Sequence, residues 1–183
     1  GTKKFDNHTS KNFRYKILIN KKINIKNLDS SFKNIDLLIH CAGSGLVGAS
    51  NQDNYEKNYL TTKAILDFSL KQKKKPKIIF MSTYSLYGGS YSKPIKESYK
   101  LKPLSSYAVT KKSSEDILLK YSELYELNIT ILRLSSIYGD GLNKQLIFDA
   151  CEKISNNKNL FYGTGNEVRD WLHIHDLCSL VYK

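Results

Sequence analysis

The stretch Lys77-Ile78-Ile79-Phe80-Met81-Ser82-Thr83 opens just after Pro76 and runs through four apolar residues into two hydroxyl side chains. A short apolar run with a proline before it and polar residues after it reads as a buried β-strand whose carboxyl end delivers Ser82 and Thr83. Upstream, apolar residues Tyr55, Tyr59, Leu60, Ala64, Ile65, Phe68 and Leu70 recur at helical spacing between Asn54 and Gln72. Before that, Ile35 to Cys41 reads as a strand ending at Ala42-Gly43, and Tyr15 to Ile19 as an earlier one. Downstream, a Gly/Ser/Tyr/Pro-rich loop from Tyr87 to Ser105 leads into a long helical pattern from Ser106 to Leu127. Ile117, Leu118, Tyr121, Leu124 and Tyr125 lie on one side of that helix, and the strand Ile129 to Leu134 follows it.

Strands alternating with helices of this length predict an α/β fold with a doubly wound parallel sheet, because parallel neighbours need long crossovers that cover the sheet faces. In such sheets ligands sit beyond the carboxyl ends of the strands, so the loops starting at Ala42, Thr83 and Ser135 are expected to share one crevice. The C-terminal part, Phe148 to Lys183, reads as a helix, a short strand Asn159 to Tyr162, a Gly-Thr-Gly turn and the segment Val168 to Asp176. We therefore divide the chain into a catalytic domain over 1–147 and the start of a small substrate-binding subdomain over 148–183, interleaved with the first.

Composition narrows the function. Of the 183 residues, 40% are hydrophobic and 25% charged, as in a globular protein with a sizeable core. Apolar runs are far shorter than the ~20 residues of a bilayer span, and the N-terminus lacks a secretory pattern. The expectation is a cytoplasmic protein with no membrane partner. The net charge of +12 comes from lysines spread along the chain, and the run Lys71, Lys73, Lys74, Lys75 and Lys77 closes a helix where positive charge suits the dipole. No nucleic-acid partner is expected. The three cysteines, Cys41, Cys151 and Cys178, are widely spaced and read as reduced core residues, neither a disulfide framework nor a metal site. His173 and His175, with Asp170 and Asp176 near them, are read as structural, so no metal is expected.

The chemistry concentrates on Tyr107 and Lys111. Four residues apart at the start of a helix, they share one face one turn apart. A phenol loses its proton only near pH ~10 unless a neighbouring cation stabilises the phenolate, so this spacing suits a tyrosine acid/base. The spacing also recurs by chance, as Tyr59 and Lys63 show. Ser82 and Thr83 add hydroxyls able to hold a substrate oxygen beside the tyrosine.

The order Ser82-Thr83-Tyr84-Ser85-Leu86-Tyr87-Gly88, Glu97 and Pro103-Leu104-Ser105-Ser106-Tyr107-Ala108-Val109-Thr110-Lys111 resembles the extended short-chain dehydrogenases that act on nucleotide sugars, the NAD-dependent epimerase/dehydratase family. Further stretches agree. Ile39-His40-Cys41-Ala42-Gly43 is similar to the family's turn under the cofactor, and Val47-Gly48-Ala49-Ser50 to a segment of sugar 4-epimerases. Asn58 stands where the family keeps an Asn. Arg133-Leu134-Ser135-Ser136-Ile137-Tyr138-Gly139 resembles a segment in which Ser136 replaces the usual Asn, and Arg169-Asp170-Trp171-Leu172-His173-Ile174-His175-Asp176 resembles the diphosphate-binding segment.

The resemblance implies a Rossmann-like fold, NAD as cofactor with NADP as the alternative, a nucleotide-sugar substrate, and a homodimer built through the long catalytic helices. It implies Thr83, Tyr107 and Lys111 as catalytic residues. It places His40, Ala42, Gly43, Asn58, Ser82, Tyr107 and Lys111 at the cofactor, and Thr83, Tyr84, Ser136 and Arg169 at the substrate. Epimerisation is favoured over 4,6-dehydration, because dehydratases of the family carry Asp-Glu after the Thr and this chain has Tyr84-Ser85. A sugar reductase, or a non-catalytic relative that keeps the groove, are the other readings. The family's Gly-x-x-Gly-x-x-Gly phosphate turn is not in the sequence, so the chain is expected to be a fragment lacking the first strand-helix unit of the fold.

Overall fold

The computed structural model describes residue 28 and residues 32–44, 50–89, 91–143 and 145–183. The strand expected at Tyr15 to Ile19, and Val47, Gly48 and Ala49, lie outside them.

Strand β1 (Leu37–His40) leads to a helix entered at Ser50, whose hydroxyl accepts from the Asp53 N–H at 3.0 Å. That helix has three parts: a short α1 (Asn51–Asn54), a π-helical turn (Tyr55–Leu60) and α2 (Thr61–Lys71). Strand β2 (Lys77–Thr83) passes through a 3₁₀ turn (Tyr84–Leu86) and the long loop into α3 (Ser106–Tyr125). Ser105 caps α3 by accepting from the Ala108 N–H at 3.1 Å, which satisfies one of the free donors of the first turn. Strand β3 (Ile129–Leu134) follows, paired parallel to β2, which in turn pairs parallel to β1.

The order β1-β2-β3 follows the chain, so right-handed crossovers bring α2 and α3 to the same side of the sheet. There Leu66 of α2 and Leu118 of α3 close on Ile78 and Phe80 of β2, with Leu127 sealing the base. A second cluster, Leu28, Ile65 and Phe68, packs beside it with Leu38. Alternation along β1 turns Leu38 and His40 toward the helices and Leu37 and Ile39 the other way, where they are 38% and 45% exposed. The parallel sheet flanked by helices is the expected Rossmann-like α/β class.

A second, two-stranded parallel sheet joins β4 (Ser136–Tyr138) to β5 (Trp171–His173), with α4 (Leu146–Ser155) between them and α5 (Ile174–Tyr182) after them. One expectation fails in this region, and two elements are additional. Asn159 to Tyr162 forms no strand: it is exposed, its Leu160 carbonyl is held by Lys153 at 3.1 Å, and no strand lies alongside it. Trp171 to His173, read only as part of a segment, is the strand instead. The helix α5 was not anticipated.

One further correction concerns surface and core. All three cysteines are free, but they are exposed, so they are not core residues. Leu124 and Tyr125 on α3 are 58% and 42% exposed. Part of the lysine run serves a neighbour. The Lys75 ammonium donates to the Tyr125 carbonyl at 2.6 Å, capping the end of α3, and Lys74 pairs with Asp36 at 2.7 Å.

Helix α3 stops at Glu126, which takes φ 53 and ψ 39. A left-handed conformation strains a residue with a Cβ, so Glu126→Gly is expected to stabilise the fold by about 0.5–1 kcal/mol, seen as a higher urea midpoint. A lower midpoint would show that the Glu126 side chain contributes more than its backbone costs.

Candidate active site

The parallel register sets the site. It lays Thr83 at the carboxyl end of β2 beside Leu134 of β3, and Ser82 beside Arg133. Helix α3 crosses above with Tyr107, Lys111 and Glu115 on successive turns of one face, so that each meets a different rung of β2.

At the first rung, the Tyr107 phenol faces the Thr83 hydroxyl, close enough for the two to interact. The Thr83 hydroxyl donates to Ser85 Oγ at 3.1 Å and accepts from the Ser85 N–H at 3.2 Å, which fixes it at the start of the 3₁₀ turn. Burial pushes the Tyr107 phenol above its ordinary range, and the Thr83 hydroxyl opposes this. At the second rung, the Lys111 ammonium donates to the Met81 carbonyl at 2.6 Å and lies 3.9 Å from the centre of the Phe80 ring. Burial pulls Lys111 down to about 8, and the Glu115 carboxylate works against that. In this arrangement the Lys111 ammonium is turned onto the strand, and desolvation is the larger influence on the phenol.

The third rung was not anticipated. Glu115 is 1% exposed, accepts from Ser82 Oγ at 2.5 Å, and takes a forked contact from Arg133, with Nη2 at 2.8 Å and Nε at 3.1 Å from both carboxylate oxygens. Arg133 Nη1 continues to the Tyr87 hydroxyl at 2.8 Å and the Glu97 carbonyl at 3.1 Å. A charged residue one turn beyond Lys111 on the apolar face of a helix was the available signal, since buried carboxylates are rare without a partner.

The turn after β1 is organised from the π-helical segment. Asn58, 1% exposed, accepts from the Ser44 N–H at 3.0 Å and donates to the Ser44 carbonyl and the Thr110 hydroxyl, both at 3.1 Å. A Cβ on Gly43 would stand 2.7 Å from the Asn58 Oδ1, so only glycine lets the turn lie this close. One turn earlier, Asn54 Nδ2 donates to Ser106 Oγ at 2.9 Å. His40 is buried with Nε2 2.9 Å from Thr62 Oγ1; among the described residues its Nδ1 has no hydrogen-bond partner, and neither does the buried Ser44 hydroxyl.

Of the residues singled out from sequence, His40, Ala42, Gly43, Asn58, Ser82, Thr83, Tyr107 and Lys111 gather at the ends of β1 and β2 beneath α3. The side chains of His40, Asn58 and Ser82 are engaged with Thr62, with Ser44 and Thr110, and with Glu115. Tyr84 is 39% exposed and, with Ser85, Tyr87, Tyr91, Ile95 and Leu104, lines a pocket of about 220 Å³ whose lining includes none of Thr83, Tyr107 and Lys111. Ser136 opens β4, and Arg169 is exposed before β5; neither is hydrogen-bonded to Thr83, Tyr107 or Lys111. His173 and His175 meet edge to face at 4.9 Å, and His173 packs on Tyr138. Among the described residues, no group of three or more His, Cys, Asp or Glu side chains is placed to hold a metal ion, and no helix is long and apolar enough to cross a membrane.

Desolvation holds His40 neutral, with its pKa down at about 3. Unfolded, the imidazole takes up a proton near pH ~6.5, whereas the folded chain refuses it until about pH 3. The stability His40 contributes is therefore complete above that first value and is lost as pH falls toward the second. Urea midpoints measured against pH should fall less steeply over this window in His40→Gln than in the parent. Parallel curves would mean that other groups govern the acid limb.

Comparison with known proteins gives the same reading. The model of the NAD dependent epimerase/dehydratase family matches residues 3–183. A putative UDP-glucose 4-epimerase of Methanocaldococcus jannaschii is 29% identical over 172 residues, covering 88% of this chain and 56% of the relative. A UDP-glucuronate 4-epimerase of Thermodesulfobacterium geofontis is 32% identical over 179 residues, covering 92% and 53%. Among solved structures, the UDP-glucuronic acid 4-epimerase from Bacillus cereus in complex with UDP-glucuronic acid and NAD superposes with a TM-score of 0.71 at 30% identity, over 78% of this chain and 47% of that one. A double mutant of the dTDP-glucose 4,6-dehydratase DesIV from Streptomyces venezuelae, with NAD bound, gives 0.74 at 28% identity, over 80% and 47%. The chain spans about half the length of the curated relatives it matches. With a parallel sheet of the same fold and a family model matching it almost from end to end, this chain belongs to the NAD dependent epimerase/dehydratase family.

Proposed function

We propose that this chain carries the acid/base half of an NAD-dependent epimerase acting on a nucleotide sugar. The observation that carries the reading is the Tyr107–Thr83 hydroxyl pair at the end of β2, with Lys111 one turn along the same helix face. Tyr107 takes the proton from a sugar hydroxyl, and Thr83 holds the same oxygen so that the phenol and the sugar stay aligned. Lys111, charged below about pH 8, supplies the positive potential that a phenolate at Tyr107 requires.

The chemistry NAD supplies when bound is the acceptance and return of a hydride. The turn Ala42-Gly43-Ser44 suits it: its backbone is bare at Gly43, and the Ser44 hydroxyl and His40 Nδ1 are buried polar atoms without a partner among the described residues. We assign cofactor contact to this turn, to Lys111 and to Tyr107. His40, Asn58 and Ser82 support them from beneath. We place the sugar against Thr83 and Tyr107, with Tyr84 and Ser85, which follow Thr83 and line the neighbouring pocket, at its edge, and Arg169 is assigned to the diphosphate, for which a guanidinium fork is suited.

Tyr84-Ser85 after Thr83 supports epimerisation over dehydration, because neither side chain supplies the extra carboxyl acid and base that elimination of water needs. The test is to incubate the full-length protein and NAD with UDP-glucuronic acid, UDP-glucose and dTDP-glucose in turn, following products by chromatography. A 4-epimer is expected; a 4-keto-6-deoxy product would move the assignment to a dehydratase, and no turnover of any of them would remove it.

A further inference from the structure

The Glu115–Arg133 pair is the most buried ionic contact among the described residues, and proton transfer at Tyr107 does not use it directly. Replacing such a pair by apolar residues is often neutral or stabilising, so stability alone does not explain its presence at this point of the fold. Its location suggests a different role. Glu115 follows Lys111 by one helical turn, as Lys111 follows Tyr107, and Ser82 and Arg133, paired across β2 and β3, hold its carboxylate from the same rung.

We propose that Glu115, fixed by Arg133 and Ser82, is a positioning residue for Lys111: its immobile carboxylate supplies the negative charge that keeps the buried ammonium protonated where Tyr107 needs it. The inference deepens the epimerase reading and rests on it for its purpose, though not for its measurement. Lys111 is 4% exposed, and its one direct acceptor is the Met81 carbonyl, a dipole and not a charge. Tyr107 and Glu115 on its own helix, His40 at the end of β1 and Cys41 just beyond are the titratable groups around it. His40 is neutral and the phenol protonated at neutral pH, and partial desolvation raises the Cys41 thiol, which stays protonated as well. That leaves Glu115 as the standing negative charge. Arg133 does more than neutralise it: its fork on the carboxylate and its contacts to Tyr87 and Glu97 prevent the carboxylate from swinging out to water.

The test reads Lys111 itself. In full-length protein carrying ¹³Cε-labelled lysine, the Lys111 resonance is identified by its loss in Lys111→Arg and titrated with no cofactor or sugar added. The parent midpoint should lie near about 8, and in Glu115→Gln it should fall by roughly one pH unit or more, a tenfold rise in the ratio of neutral to charged Lys111 at a given pH. An unchanged midpoint in folded Glu115→Gln overturns the proposal. If that variant does not fold, Glu115→Leu combined with Arg133→Met removes the pair as a unit; the midpoint should again fall, and an unchanged one overturns the proposal equally. Because no turnover is involved, a parent protein that converts no nucleotide sugar would remove the epimerase reading and leave the Lys111 result standing.

Discussion

Tyr107→Phe is expected to lower the turnover of the full-length enzyme by about 10²–10⁴-fold while leaving the fold and cofactor binding in place. The change removes one oxygen from a side chain held within a packed helix face, so the ring still fills its space between α3 and Thr83. What disappears is the phenol to which the proposed function assigns taking a proton from a sugar hydroxyl and returning it. Thr83 remains to hold a substrate oxygen, but an aliphatic hydroxyl is far too weak an acid to replace a phenol. The distinguishing measurement is kcat and KM together: kcat falls and KM changes little. A variant that keeps parental kcat would move the proton transfer to another residue, and one that loses only KM would make Tyr107 a binding group.

Arg133→Ala should lower the stability of the chain by about 3–5 kcal/mol, because it strands a fully buried carboxylate. Glu115 would keep a single donor, Ser82, against the three guanidinium contacts it has now. The damage would not stop at the carboxylate. The same guanidinium holds the Tyr87 hydroxyl and the Glu97 carbonyl, so the segment that lines the pocket would lose two anchors. Urea denaturation gives the readout as a lower midpoint at constant slope. Arg133→Lys keeps the charge but not the fork, and should recover only part of the loss. A midpoint within error of the parent for Arg133→Ala would mean that Glu115 is protonated or hydrated in the variant.

How far the sequence reveals this molecule depends on whether a feature is local. The strand ending in Ser82 and Thr83, the helix opening at Ser106 and the strand Ile129–Leu134 were all legible, because apolar runs and capping hydroxyls act over a few residues. The pairing of β4 with β5 was not. Three-residue strands far apart in the chain have no period to detect, and their existence depends on each other. Asn159 to Tyr162 has the composition of a strand but no strand beside it, which composition cannot report. Glu115 and Arg133 were legible as residue types and invisible as a pair, since the contact requires the register of β2 against β3 and the pitch of α3 at once. The exposed cysteines show the reverse error: a residue type that is usually buried was assigned to the core without any positional evidence.

The two asparagines of the π-helical stretch have a mechanical meaning. Asn54 reaches Ser106 and Asn58 reaches Thr110, so the spacing of the amides matches the spacing of the hydroxyls and the helices meet at two rungs. Ser106 and Thr110 each immediately precede a residue of the reactive pair. If α3 slid by one turn, one amide would find the wrong hydroxyl and the other would face none, leaving a polar group stranded in the interior. The rungs therefore act as an indexing key: they permit one axial setting of the helix, and that setting is the one that brings Tyr107 level with Thr83.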